Sequence, residues 1–340
     1  MTRVAAPPSP ERPPRKPAPL APVPGRGAPE SLSDRARKWL TRLMLVSERS
    51  PGAARIIRRF FLDVSWYTSP ELRTGTLANA ARILGPASSA RARRRLARAV
   101  NANFYDFLVE LAAAKCRGHA RPVAEAIGAE HLDAALARGR GVLMATAHLG
   151  SFESGIEALR KVAPRVHVVF RRWNELPDFE RLRQYHRTRL GVSEIAIEDG
   201  LKAWDQARRA LEAGEIVLMQ ADRVMPGQRG APVEFLGGHV LAPIGPVKMA
   251  RMTGAPIVPV FAPRCGLFGR RVRIIMEAPI DPPASPDEDR PALEQLMALI
   301  ARRVVATPEQ WLMLHAAWLE DQDETANGKW ANGGEMANGK

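Results

Sequence analysis

Gly141-Val142-Leu143-Met144-Ala145-Thr146-Ala147-His148-Leu149-Gly150-Ser151-Phe152-Glu153 decides how this chain is read. A short apolar run bounded by Arg140-Gly141 and by Gly150 predicts a buried strand. It ends in a histidine, and a carboxylate follows five residues later. On one continuous helix, residues five apart diverge by about 140°. They converge only if the chain turns between them, and Gly150 with Ser151 as N-cap supplies that turn. A histidine exposed at the rim of a sheet, its second nitrogen held by an acid, is what a general base requires. His148 is therefore the candidate base and Glu153 its expected partner.

Outward from this stretch, strand and helix alternate. Apolar runs at 141–146, 166–170, 192–197, 216–219, 257–261 and 272–276 predict strands. Helical periods fit about 153–161, 178–190, 200–213, 246–252 and 291–305, with Pro308 stopping the last. The alternation predicts an α/β domain with helices on both faces of a sheet. Residues 35–135 read as mainly helical, with Phe104, Phe107, Leu108 and Leu111 forming one apolar stripe. Trp39, Leu40, Leu43 and Met44, then Ile56, Ile57, Phe60 and Phe61 with Arg55, Arg58 and Arg59 interleaved, allow two readings. One is a basic amphipathic surface lying on anionic lipid; the other is ordinary core helices with solvated arginines. The cluster Arg91, Arg93, Arg94, Arg95 and Arg98 reads as a solvated helix face. Residues 1–34 are rich in proline, arginine and alanine and are expected to be disordered. From 321 to 340 the chain ends in a low-complexity tail that repeats Ala-Asn-Gly-Lys.

The 340 residues suffice for one large or two modest domains. A net charge of +14 implies a polyanionic neighbour, either nucleic acid or an anionic membrane surface. Dispersed arginines, 6% aromatic residues and the lack of a nucleic-acid-reading motif weigh against nucleic acid. Cys116 and Cys265 alone make neither a disulfide framework nor a zinc site, so no metal and a reducing cytoplasm are expected. No apolar run reaches the roughly 20 residues of a spanning helix. No signal-peptide core precedes the body. A soluble or peripheral protein is the expectation.

His148 and Glu153 fit the His-x4-Asp/Glu motif, and further blocks follow in order. They are Val168-Val169-Phe170-Arg171-Arg172; Gln220-Ala221-Asp222-Arg223 with Gly227-Gln228-Arg229-Gly230 and Val233-Glu234-Phe235-Leu236-Gly237; Gly254-Ala255-Pro256-Ile257-Val258-Pro259-Val260-Phe261; and Pro308-Glu309-Gln310-Trp311-Leu312-Met313-Leu314-His315. The set resembles the glycerolipid and lysophospholipid acyltransferase superfamily, in its lipid A biosynthesis (lauroyl/myristoyl) branch, over about 35–320. The resemblance implies a mixed twisted sheet flanked by helices behind a helical N-terminal portion. It implies transfer of an acyl chain from acyl-ACP or acyl-CoA to a hydroxyl or amine of a lipid or glycolipid, with no acyl-enzyme and no cofactor besides the thioester. The expected place is peripheral, on the cytoplasmic face of the inner membrane.

In that frame His148 is the base and Glu153 its orienting acid. Arg171 stabilises the oxyanion or holds an acceptor phosphate. Asp222, Arg223 and Arg229 grip the acceptor head group, although Asp222-Arg223 also reads as a plain loop ion pair. Gly150 and Ser151 let the chain approach the thioester. His119, His131, His167, His186 and His239 match no block, and His315 is expected to pack. A catalytically silent lipid-binding relative is the remaining alternative.

Overall fold

A computed structural model describes residues 51–117, 122–163, 165–172, 177–225 and 228–325. The expected disordered arm, the Trp39–Met44 segment, most of the tail, His119 and Gly227 lie outside these residues. Three helices open the described chain: α1 (Pro51–Thr68), α2 (Pro70–Leu84) and α3 (Ala90–Arg117). After them come β1 (Val123–Ile127), α4 (Ala129–Leu136), β2 (Val142–Thr146), α5 (Phe152–Val162), β3 (Val166–Phe170), α6 (Pro177–Leu190), β4 (Ser193–Ala196), α7 (Leu201–Glu212) and β5 (Ile216–Gln220). The remainder is β6 (Gly230–Phe235), β7 (Gly238–Pro243), α8 (Gly245–Thr253), β8 (Ile257–Phe261), β9 (Arg264–Cys265), β10 (Arg271–Met276), α9 (Asp289–Ala306) and α10 (Leu319–Thr325).

The main sheet has the order β1-β10-β8-β2-β5-β3-β4, with β9 paired to β10. Strands β8, β2, β5, β3 and β4 run parallel, while β10 is antiparallel to β8, so the sheet is mixed. β2 lies between two parallel neighbours and is buried at all five positions, which explains its unbroken apolar sequence. Its side chains serve two cores. Leu143 and Ala145 pack with Ala207, Leu211, Val247, Leu296 and Ile300 from α7, α8 and α9. Val142 and Met144 pack with Leu132, Ala135, Ile156 and Leu159 from α4 and α5. Each such fully buried Leu or Met contributes roughly 1.5–3 kcal/mol. Helices therefore cover both faces, as the alternation predicts.

Two parts depart from expectation. β1 falls within the segment read as mainly helical, and joins the sheet edge parallel to β10. Its sequence, Val-Ala-Glu-Ala-Ile, is largely exposed, so no apolar run marks it. β6 and β7 form a separate hairpin, with Phe235 paired to Gly238 across Leu236-Gly237. Both turn residues have positive φ (50° and 76°), the conformation of a two-residue hairpin turn whose twist suits the strands.

α1 to α3 make a third core around Trp66, Ala97 and Val100. α1 and α3 are joined by two ion pairs, Arg58–Asp106 at 2.9 Å and Arg98–Asp63. Phe61 meets Tyr105 at 4.9 Å between ring centroids. Phe61 and Arg58 thus serve packing, whereas Ile56 and Phe60 point outward.

Candidate active site

The C-terminal ends of the parallel strands form one rim, where open α/β sheets place ligands. β2 and β5 are registered with Thr146 opposite Gln220. His148 and Asp222 each lie two residues beyond that pair, and the shared offset brings them together across 74 residues of chain. The His148 Nδ1 stands 2.8 Å from Asp222 Oδ1. Asp222 Oδ2 accepts the backbone N–H of His148 at 3.0 Å and the indole N–H of Trp311 at 2.9 Å. Three partners hold this buried carboxylate. Burial alone would raise its pKa, but the adjoining His148 ring, the Arg223 charge and these hydrogen bonds hold it well below the usual carboxylate range. An ionised acceptor at Nδ1 fixes the proton there and leaves Nε2 free. Burial, then the nearby Arg223 charge, push the imidazole below its ordinary pKa, with Asp222 opposing. His148 is consequently neutral near pH 7, the state of a base.

Glu153 does not take the expected position. Its carboxylate is bound by Arg187, at 2.7 Å to Nη2 and 3.3 Å to Nε, and both groups are buried. Burial would raise the Glu153 pKa, yet Arg187 holds it below the ordinary value. The turn at Gly150 does redirect the chain into α5, but the sheet has already supplied His148 with Asp222. Arg187 from α6 meanwhile reaches Glu153 on α5. Asp222, assigned above to the acceptor, stands behind the imidazole instead.

Gly150 and Ser151 also face the protein body. Gly150 has φ +72°, and a Cβ there would sit 2.3 Å from the Ala262 carbonyl oxygen. Only glycine permits so close an approach to the end of β8. Ser151 occupies the N-cap position without capping; its hydroxyl, fully buried, donates to Glu110 and meets Ser154 at 2.6 Å. Glu110 in turn pairs with the buried Arg264 at 3.2 Å.

A cavity of about 640 Å³ opens at the rim. His148, Phe152 and Glu153 stand on one wall with Phe104 and Phe107 of α3. Ala203, Trp204, Ala207, Met219 and Ile244 contribute apolar lining. Arg171, Arg223, Arg229 and Lys248 also line it, so the expected arginines do share one space with the histidine. Arg171 and Arg223 are near enough for burial and the Arg171 charge together to lower the Arg223 pKa, with Asp222 acting against them. Two closely placed guanidiniums beside a neutral imidazole favour an anion. His167 lies apart, with Nε2 at 2.5 Å from Glu215, and His239 pairs with Glu320 at 2.9 Å. His315 sits in the closing segment, where its carbonyl accepts Asn79 Nδ2 at 2.8 Å.

Sequence reasoning missed the partner of His148, and also Arg187, Lys248 and Trp311. The signal for the first was present: Thr146-Ala147-His148 and Gln220-Ala221-Asp222 end two apolar runs at equal offsets. The Pro308–His315 segment gains a physical reading. Leu312 N–H donates to the His148 carbonyl at 2.7 Å, and Gly150 N–H to the Gln310 carbonyl at 3.0 Å. The closing segment therefore buttresses the histidine from behind.

The chain is 28% identical over 200 residues to a phosphatidylinositol mannoside acyltransferase of Mycobacterium tuberculosis, covering 58% of this chain and 61% of the relative. It is 27% identical over 200 residues to the enzyme of that name from Mycolicibacterium smegmatis, covering 58% and 63%. It is 29% identical over 192 residues to a lipid A biosynthesis lauroyltransferase of Escherichia coli, covering 56% and 60%. The similarity thus spans about three fifths of the length of these relatives. The family model for bacterial lipid A biosynthesis acyltransferases matches residues 37–320, and the chain belongs to that family.

Proposed function

We propose that this protein transfers a fatty acyl chain from a thioester, acyl-ACP or acyl-CoA, to a hydroxyl of a membrane glycolipid. The carrying observation is the His148 imidazole, fixed through Nδ1 by Asp222 beside a cavity lined by both apolar residues and arginines. The family and the glycolipid acceptors named for the mycobacterial relatives support it. The acceptor enters with its hydroxyl toward His148 Nε2, which removes the proton as the oxygen attacks the thioester carbon. The carbonyl oxygen becomes an oxyanion, which Arg171 and Arg223 stabilise. The C–S bond then breaks, and the departing thiolate takes the proton from the imidazolium. The products are an ester and a free thiol. No acyl-enzyme is needed, because the acceptor is itself the nucleophile. The thioester arrives activated, so no cofactor is required.

Asp222 holds the tautomer and offsets the imidazolium charge, whereas Glu153 supports the cavity wall through Arg187. Arg229 and Lys248 sit where they can meet phosphate on donor or acceptor. Such substrates would favour a place at the cytoplasmic face of the inner membrane. Among the described residues, no helix is long and apolar enough to cross a bilayer.

The test is incubation of purified protein with acyl-CoA or acyl-ACP and a membrane lipid extract, followed by mass spectrometry. One lipid gains one acyl chain, and His148→Ala abolishes the gain. Absence of any acylated lipid with the native protein, or undiminished turnover by His148→Ala, rejects the proposal.

A further inference from the structure

We propose that the outward face of α1 is a docking surface for an anionic bilayer. Ile56, Phe60, Val64 and Tyr67 are 71%, 61%, 41% and 66% exposed. At 100° per residue these four fall within an arc of about 80°, a single stripe along the helix. Arg55 and Arg59 lie about 60–100° round from Ile56, on one flank. Both are exposed, and the Arg59 side chain is 87% accessible. Asp63 is not free to neutralise that flank alone, since it also receives Arg98.

An exposed row of isoleucine, valine and aromatics beside arginines suits the boundary of acyl chains and acidic head groups. The apolar side chains enter the hydrocarbon edge, and the arginines reach back to phosphate. The net charge of +14 favours the same partner over a neutral surface. Placement adds a reason. α1 packs on α3 through Phe61–Tyr105, and Phe104 and Phe107, which flank Tyr105, line the cavity. A bilayer against α1 therefore lies one helix away from the cavity wall. The inference rests on the acceptor being a membrane lipid, and it names the face presented to that membrane.

The experiment is flotation of the full chain with vesicles of phosphatidylcholine alone or mixed with phosphatidylglycerol, for native protein and two double variants. Ile56→Ser with Phe60→Ser should lower vesicle partition about tenfold or more, in keeping with withdrawal of two large apolar side chains. Arg55→Gln with Arg59→Gln should erase the preference for phosphatidylglycerol and its salt sensitivity while leaving weak binding. Neither pair should move the melting temperature or the acylation of detergent-dispersed acceptor. Native-like flotation of the serine variant overturns the proposal. So does a solution dimer that the serine variant splits, which would make a second copy the occupant. Failure of the native protein to acylate any lipid removes the function proposed above, yet leaves the flotation result readable by itself.

Discussion

Asp222 and Glu153 are both buried carboxylates near His148, one through the fold and the other along the chain, and their neighbours give them different tasks. Asp222 accepts from the imidazole, so its removal changes the base itself. In Asp222→Asn the amide can donate to Nδ1, which moves the proton to Nε2 and leaves no lone pair for the acceptor hydroxyl. A fall in kcat of about 10³–10⁴ is expected, with little change in KM, the scale seen when a histidine's orienting aspartate becomes asparagine. Glu153→Gln should act mainly on stability, because it strands the Arg187 guanidinium in the interior. Breaking one side of a buried pair costs roughly 3–5 kcal/mol, and Glu194 at 3.3 Å from Arg187 moves the expectation to the lower end. Chemical denaturation and steady-state kinetics on both variants separate the two roles. If Glu153→Gln loses the larger share of kcat while keeping its stability, the assignment is reversed. pH gives a further check. The depressed His148 pKa keeps the base unprotonated as pH falls through the ordinary imidazole range, and kcat/KM drops only below it. Arg223→Gln removes a charge that lowers this pKa, so the acid limb should move to higher pH.

Among the elements, those that position the site are the ones most legible in sequence. β2, β5 and β8 are sandwiched between helices, so burial on both faces forces continuous apolar runs, and their predicted and observed bounds, like those of the half-buried β3, agree within a residue or two. β1 carries no such constraint at the exposed edge and is invisible. The β6–β7 hairpin keeps alternate Val233, Phe235, Val240 and Ala242 buried, but proline and glycine in both strands blur the period. The His148 partner was missed for a different reason, although its signal was present. Proximity along the chain favoured Glu153, whereas strand register delivers Asp222 from 74 residues away. The turn after β2 is the element most sensitive to one atom. Gly150→Ala would place a methyl 2.3 Å from the Ala262 carbonyl oxygen and force a left-handed backbone on alanine, the latter alone costing roughly 1–2 kcal/mol. The variant should melt at lower temperature and lose activity out of proportion, since the same turn carries His148. Trp311→Phe is the gentler probe from the opposite side. It keeps an aromatic beside Phe235 but removes one donor from Asp222, and should cost about 1.5–3 kcal/mol, read by denaturant titration.

At the scale of the whole molecule, the cavity at the sheet's rim mixes apolar and cationic lining, and the proposed reaction predicts which lining each part of the substrates meets. The proposed acyl chain offers nothing to arginine and gains by leaving water, so it is expected among Ala203, Trp204, Ala207, Met219 and Ile244 of α7, β5 and the start of α8. With Arg171 and Arg223 kept for the proposed oxyanion, Arg229 and Lys248 are left to meet phosphate on the proposed donor or acceptor. Small residues at 203 and 207, one helical turn apart on α7, leave the apolar lining its depth. Filling that depth should shorten the accepted chain without touching the base. Ala207→Phe is therefore expected to shift preference toward shorter acyl donors, with kcat on the shortest accepted donor nearly native. The larger ring also crowds a buried position, a cost of about 1–3 kcal/mol. A melting curve should accompany the donor series for that reason. An unchanged chain-length profile in a folded Ala207→Phe variant would place the acyl chain elsewhere, and the roles given to the lining arginines would then have to be reassigned with it.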